Sequence, residues 1–413
     1  MTVDYEVLVI GAGAAGIGAS LTLTALGIEH AVIEASDRVG GRAWTDQTTL
    51  GTPFDLGASF IHAVDQGNPW ADIALTFGHR VFADTRERTS LDAAGVIDPA
   101  GAKNYLAMRE AAFAKVQGHL ARTETPMAAD LGLTGPWSGP AAKAVGPWLA
   151  GTDNDQLDAA DWYGCHSGED WLLPGGYGRL VETTAAGIKA QLNTPIRKIT
   201  VTGDHVIAES ATGKRTARQV ILTASIGVLQ AELINFEPQL PARALAALDR
   251  LAMGNLTKVG LELQAFEPPF DRHQYLQIDE ASPTLPLYFL RPANSPSIMA
   301  FLGGSAVAEL SKLGADAVID AAIEPLAARL GQHTVERLFG RRLATNWDTQ
   351  PWIRGSYSNG LPGCGNARAR LREPWHERLV YAGEANAPDG WQATVAGAYL
   401  AGRNAALSIA ARK

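Results

Sequence analysis

Cysteine is nearly absent from this sequence: Cys165 and Cys364 are the only two among 413 residues. Two thiols supply neither a disulfide framework nor a metal cluster, so no metal site is expected and a reducing, cytoplasmic setting fits. Long apolar runs are missing too. Nothing approaches the ~20 residues of a membrane span, and the first strand begins too early to leave room for a signal peptide. An excess of basic charge is also lacking. With 35 Lys+Arg against 43 Asp+Glu the formal net charge is −8, which argues against nucleic acid as a partner and is compatible with a cationic small molecule. No internal repeat or low-complexity tract interrupts the chain, whose length suggests two or three domains.

Glycine and small residues, by contrast, crowd the opening from Glu6 to Ser20. Val7 to Ile10 reads as a buried parallel strand that breaks at Gly11, Gly13 and Gly16 into an alanine-rich helix containing Ala15. In a dinucleotide site one such glycine makes the turn, one admits backbone N–H groups to a pyrophosphate, and one lets helix and strand pack closely. Glu34 ends the next strand, where a carboxylate takes both ribose hydroxyls and disfavours NADP. After it comes a polar loop with Gly40, Gly41 and Arg42, whose planar guanidinium is suited to a second phosphate contact.

Phe54 to His62 is a short apolar segment in which Gly57, Ala58 and Ser59 would let something flat lie against the backbone. On its own terms His62 reads as a structural histidine. The stretch from Arg80 to Gly168 reads as an inserted, mostly helical region, with a helix over Asn104 to Leu120. A further helix is expected after Trp171, running to about Leu192, then strands over Pro195 to Val201 and Gln219 to Thr223. Leu256 to Leu263 alternates as a strand; periodicity alone puts Lys258 on a solvated face. Helices are expected over Ala315 to Leu330 and Val335 to Phe339. Leu379 to Glu384 is a strand with a carboxylate at its end, followed by a long helix of small residues over Ala393 to Ala411. The predicted fold class is α/β: a Rossmann-type nucleotide domain assembled from residues 1–80, 169–240 and 343–413, plus an α+β substrate-binding domain from 81–168 and 241–342.

Taken together these motifs resemble the flavin-containing amine oxidases, the family of monoamine oxidases, polyamine oxidases and flavin-type histone lysine demethylases. The resemblance implies FAD in an extended pose. Gly11 to Gly16 would hold the pyrophosphate, Glu34 the adenosine ribose, and the backbone of Ile196 the adenine. Gly383 and Glu384, with Thr394 and Val395, match the family's C-terminal flavin segment. Glu384 would face ribityl or phosphate oxygens, and the N–H of Val395 the pyrimidine edge of the flavin, where reduction places negative charge. Asn255 to Leu261 is similar to the segment whose lysine holds a water at flavin N5, which assigns Lys258 a catalytic role.

Gly57 to His62 is most similar to animal-type spermine and acetylpolyamine oxidases, which carry a histidine near the substrate amine at this place. Ser356 stands where monoamine oxidases attach flavin through cysteine, so non-covalent FAD is expected. Tyr357 matches one wall of the aromatic cage and Thr394 the position of the other. Trp352 and Trp391 are candidates to line the substrate site. The expected reaction is oxidation of a C–N bond of a polyamine, with a monoamine or an amino acid as alternative substrates and O2 as acceptor, in a monomer or homodimer. Two other classes share the FAD ends, namely a flavin-dependent desaturase or porphyrinogen-type oxidase and a non-catalytic FAD-binding assembly protein.

Overall fold

In the computed structural model, which describes residues 3–120, 128 and 131–412, the opening run forms strand Tyr5–Ile10. Val7, Leu8 and Val9 are fully buried, as a strand covered on both faces requires. It pairs in parallel with Gly213–Leu222 on one side and His30–Ile33 on the other. Five more strands complete an eight-stranded sheet, from Ala190–Gln191, Ile196–Val201, Val206–Ser210, Asn235–Glu237 and Leu379–Tyr381.

Two helices, Ala14–Ala25 and Val395–Ala410, pack on each other across this sheet. Their small residues set the distance. A Cβ added at Gly402 would stand 1.8 Å from the carbonyl oxygen of Ala15, and one at Gly18 would stand 2.3 Å from that of Tyr399.

A second sheet of six strands runs in the order Phe339–Ala344, Leu256–Leu263, Ser297–Gly303, Leu287–Leu290, Gln274–Ile278, Arg88–Leu91. All its pairings are antiparallel except that of Arg88–Leu91 with Gln274–Ile278. One face, with Val259, Leu261, Leu276, Tyr288 and Ala300, packs into a core with helix Ala315–Leu330. The other face carries Lys258, Phe301, Leu287, Tyr275 and Arg88 toward a cleft between the two sheets.

Three local expectations change. The 80–168 region, expected to be mostly helical, also contains the strands Phe82–Ala83 and Arg88–Leu91, and its long helix starts at Pro99, ahead of Asn104, and ends at Leu120. The Arg-Thr-Ser-Leu strand carries too few apolar residues for its alternation to register. The helix after Trp171 covers only Tyr177–Thr184, because Ala190–Gln191 is drawn into the first sheet beside Val32 and Ile33. Helix Gln332–Leu338 stops one residue early, and Phe339 opens a strand paired with Leu263.

Candidate active site

The cleft is a cavity of about 1110 Å³. Its first half is built on the glycine turn. Gly11 has φ +108°, and a Cβ there would meet the Thr223 hydroxyl at 2.2 Å; at Gly16 it would meet the Gly11 carbonyl at 1.9 Å. The turn delivers the N-terminus of helix Ala14–Ala25 with Gly13 as N-cap and no side-chain capping bond, so its leading N–H groups are left for a ligand. Gly13 bridges to Gly40, and Gly41 approaches it across the cleft floor. Ala15 and Ile196 also line this half. Glu34 is 8% exposed and accepts the N–H of Ala12 at 2.6 Å and, at 2.8 and 2.7 Å, the N–H and hydroxyl of Ser36. Two carboxylate oxygens offer about four acceptor positions, so Glu34 keeps capacity toward the cleft.

Further along the cleft Glu384, 5% exposed, accepts Arg42 Nη1 at 2.8 Å and the Ser358 hydroxyl at 2.6 Å. Burial alone would raise its pKa; the charges of Arg42 and Arg368 and these hydrogen bonds outweigh burial and hold it below the ordinary carboxylate value. Arg368 is itself clamped by Asp161 through two contacts of 2.5 and 2.8 Å. Gly383, Thr394 and Val395 line the same stretch. Thr394 caps helix Val395–Ala410, its hydroxyl accepting the Gly397 N–H at 2.9 Å and donating to Trp391 O at 2.7 Å.

At the centre lies Lys258, 6% exposed. Its Nζ donates to the carbonyl of Gly57, to the Ser59 hydroxyl at 2.5 Å and to the carbonyl of Asp55 at 3.3 Å. Burial pulls its pKa down to about 8, partly offset by the Asp55 carboxylate. Gly57 sits so close to Arg42 that an added Cβ would lie 1.6 Å from the Arg42 carbonyl; with Ala58 and Ser59 it forms a flat wall. Tyr357 borders the cleft with its hydroxyl bonded to the Leu149 carbonyl, and burial raises its pKa. His62 is at the rim, its side chain 49% exposed, with Nδ1 3.1 Å from Asp170 Oδ1 and its ring stacked on Phe60 at 5.5 Å.

A profile of the flavin containing amine oxidoreductases matches residues 14–127 and 140–410. The chain belongs to that family. It is 28% identical to polyamine oxidase 4 of Oryza sativa subsp. japonica over 97% of this chain and 88% of that protein. It is 25% identical to human lysine-specific histone demethylase 2, over 99% of this chain but 54% of that protein. The solved structure of wild-type putrescine oxidase bound to putrescine shares its fold, with a TM-score of 0.76 at 21% identity and 99% coverage of both chains.

As a flavin-containing amine oxidoreductase this chain takes FAD as cofactor. The cleft fits it on its own evidence: an uncapped helix N-terminus, a paired-glycine floor, a buried acid with spare acceptor capacity, and a long cavity with a lysine in its wall. Among the aromatic candidates the structure separates two. Trp352 lines the cleft from the Ile196 side, with Arg197 4.3 Å over its ring, so it is remote from the substrate half. Trp391 is not on the wall; it is buried against His166 at 4.7 Å in an apolar cluster with Ala387 and Ala396. The cap of helix Val395–Ala410 ties its carbonyl to Thr394, and Gln392 lines the cleft in its place. Sequence reasoning missed Asp55, Arg368, Trp44 and Trp347. Trp44 and Trp347 meet edge to face at 6.5 Å and both line the cleft.

Proposed function

We propose that this flavin-containing amine oxidoreductase oxidises the C–N bond of a small amine with O2 as the final acceptor. The observation that carries the reading is Lys258, a lysine buried in the cleft wall against Gly57 and Ser59, whose pKa burial pulls down to about 8. Bound FAD would supply the two-electron redox chemistry that links oxidation of the C–N bond to reduction of O2 to hydrogen peroxide. The amine nitrogen releases a proton as the C=N bond forms, and water then hydrolyses the imine.

The chain's own residues would do the rest. Glu34, Gly13 and the helix N-terminus would hold the adenosine diphosphate half; Arg42, Glu384 and Val395 would hold the other. A water at the reacting centre would take the place of one of the three acceptors now on Lys258 Nζ, beside Ser59. Hydride loss needs a neutral amine, whereas an alkylamine has a pKa of about 10.4. The desolvated wall disfavours the ammonium form, and the His62–Asp170 pair offers a proton acceptor at the rim. The Ser356 hydroxyl donates to Gly254 O at 2.8 Å and accepts the Leu256 N–H at 3.0 Å, which supports non-covalent FAD.

A polyamine is one reading of the substrate, supported by the Gly57 to His62 segment and by the name of the rice relative. The test is anaerobic mixing of the yellow holoprotein with a panel of polyamines, monoamines and amino acids while following flavin absorbance. Bleaching by an amine, then peroxide on admitting air, is the expected result. If dithionite bleaches the flavin and no amine does, the reading fails and a desaturase or an assembly role takes its place.

A further inference from the structure

The half of the cleft beyond Lys258 is poorly charged for a polycation. Among the described residues its acids are Asp84 and Asp170, and both are engaged. Asp84 accepts the Tyr275 hydroxyl at 2.7 Å, the Arg86 N–H at 3.0 Å and the His273 ring at 3.2 Å. Asp170 accepts Arg86 Nη2 at 2.9 Å as well as His62.

Two more arginines line this half, Arg88 and Arg109. Among the described residues neither has a carboxylate within ion-pair distance. Each guanidinium instead lies on an aromatic ring, Arg88 4.6 Å over Tyr275 and Arg109 4.6 Å over Phe113. Stacking uses the face of the guanidinium and leaves its N–H edge available for a planar oxyanion. Arg109 shares one side of helix Pro99–Leu120 with Tyr105 and Phe113 at four-residue spacing, and all three line the cleft. Burial pulls the Arg109 pKa down and the charges of Arg88 and Arg86 add to this, against Tyr105 and Glu110, which raise it. Cations gathered in a half-buried pocket are favourable when an anion sits among them.

We infer that the substrate carries a carboxylate, held by Arg88 and Arg109 at the end remote from the oxidised C–N bond. This rests on the amine-oxidase reading above and specifies its substrate class. The spacing of the two ends follows from the sheet. Lys258 pairs with Phe301 and Phe301 with Leu287, while Tyr275 pairs with Arg88. Arg88 folds back over Tyr275, so about three strand spacings, roughly 14 Å, separate its guanidinium from the Lys258 strand. An α-amino acid, with one carbon between nitrogen and carboxylate, is too short to use both ends. An amine with its carboxylate several carbons away, as in an ω-amino acid, reaches.

The experiment compares amino acids from glycine to 8-aminooctanoate with diamines of matching length, using the holoenzyme and anaerobic flavin bleaching. The longer ω-amino acids should exceed their diamines at least tenfold in kcat/KM. Arg88→Met and Arg109→Met should each raise the KM for those amino acids about tenfold or more, leave kcat nearly unchanged, and leave KM for hexylamine unchanged. Because these arginines also pack on rings, a second measurement uses the unaltered enzyme: hexanoate should compete with hexylamine. Diamines outperforming the amino acids, or hexanoate failing to compete, overturns the inference while the oxidase reading stands. If no amine of any charge bleaches the flavin, both fall together.

Discussion

Arg42 Nη1 lies 2.8 Å from Glu384 Oε1, an ion pair between residues 342 positions apart. It ties the loop after Glu34 to the end of strand Leu379–Tyr381 at the middle of the cofactor cleft. Glu384→Gln leaves Arg42 and the buried Arg368 facing a neutral group, which should cost about 3 kcal/mol of stability and release flavin on dilution. The pKa of Glu384 is lowered by folding. Its contribution is therefore complete above the unfolded value, about 4.3, and is lost as pH falls through the folded value. Melting curves between pH 3 and 7 should show the variant losing less stability across that window than the parent.

Lys258→Met should slow flavin reduction by roughly a hundredfold and remove a limb near pH 8 from its pH profile. Folding lowers this lysine to about 8 from its ordinary 10.5. Between those values the unfolded chain binds a proton that the folded chain does not, so parental stability rises with pH across the window. The Met variant should lack that rise, which melts at pH 7.5 and 10 will show.

Gly402→Ala places a methyl group 1.8 Å from the Ala15 carbonyl and should destabilise the helix pair by about 1–3 kcal/mol, with weaker flavin retention. Gly187, where an added Cβ meets nothing within 4 Å, is the control; Gly187→Ala should stay within about 0.5 kcal/mol. Thermal melts with and without added FAD read both.

Flavin should leave the protein on denaturation in detergent, turning the filtrate yellow. Ser356→Ala removes the partner of the Leu256 N–H, while the Gly254 carbonyl keeps the backbone N–H of residue 356, and should cost about 1–2 kcal/mol without altering that release. Colour retained on the denatured chain would show a covalent link.

The strands Tyr5–Ile10 and Leu379–Tyr381 of the first sheet were legible because strand, glycine turn and small-residue helix each leave a local signature. Lys258 could not be read from periodicity, since alternation gives a face but not what covers it; Ser59 and Gly57, about 200 positions away, cover this one. Trp391 reads as a wall residue by its place before the last helix, yet the Thr394 cap turns it inward. Arg88 and Arg109 left no signal at all. One sits in a strand too polar to notice, and the other looks like a solvated helix position until the sheet brings Tyr275 and Arg88 opposite it. Arg368, in Ala-Arg-Ala-Arg-Leu-Arg, likewise reads as surface until Asp161 closes on it.

The pairing of helix Ala14–Ala25 with helix Val395–Ala410 also sets a timetable. A ribosome adding about 5–20 residues each second makes the second helix roughly 20–80 s after the first. Through that interval the partner surface at Ala15 and Gly18 has nothing to lie against. The glycine turn must wait in the growing chain until the helix that begins at Val395, 381 residues after Ala14, has been made.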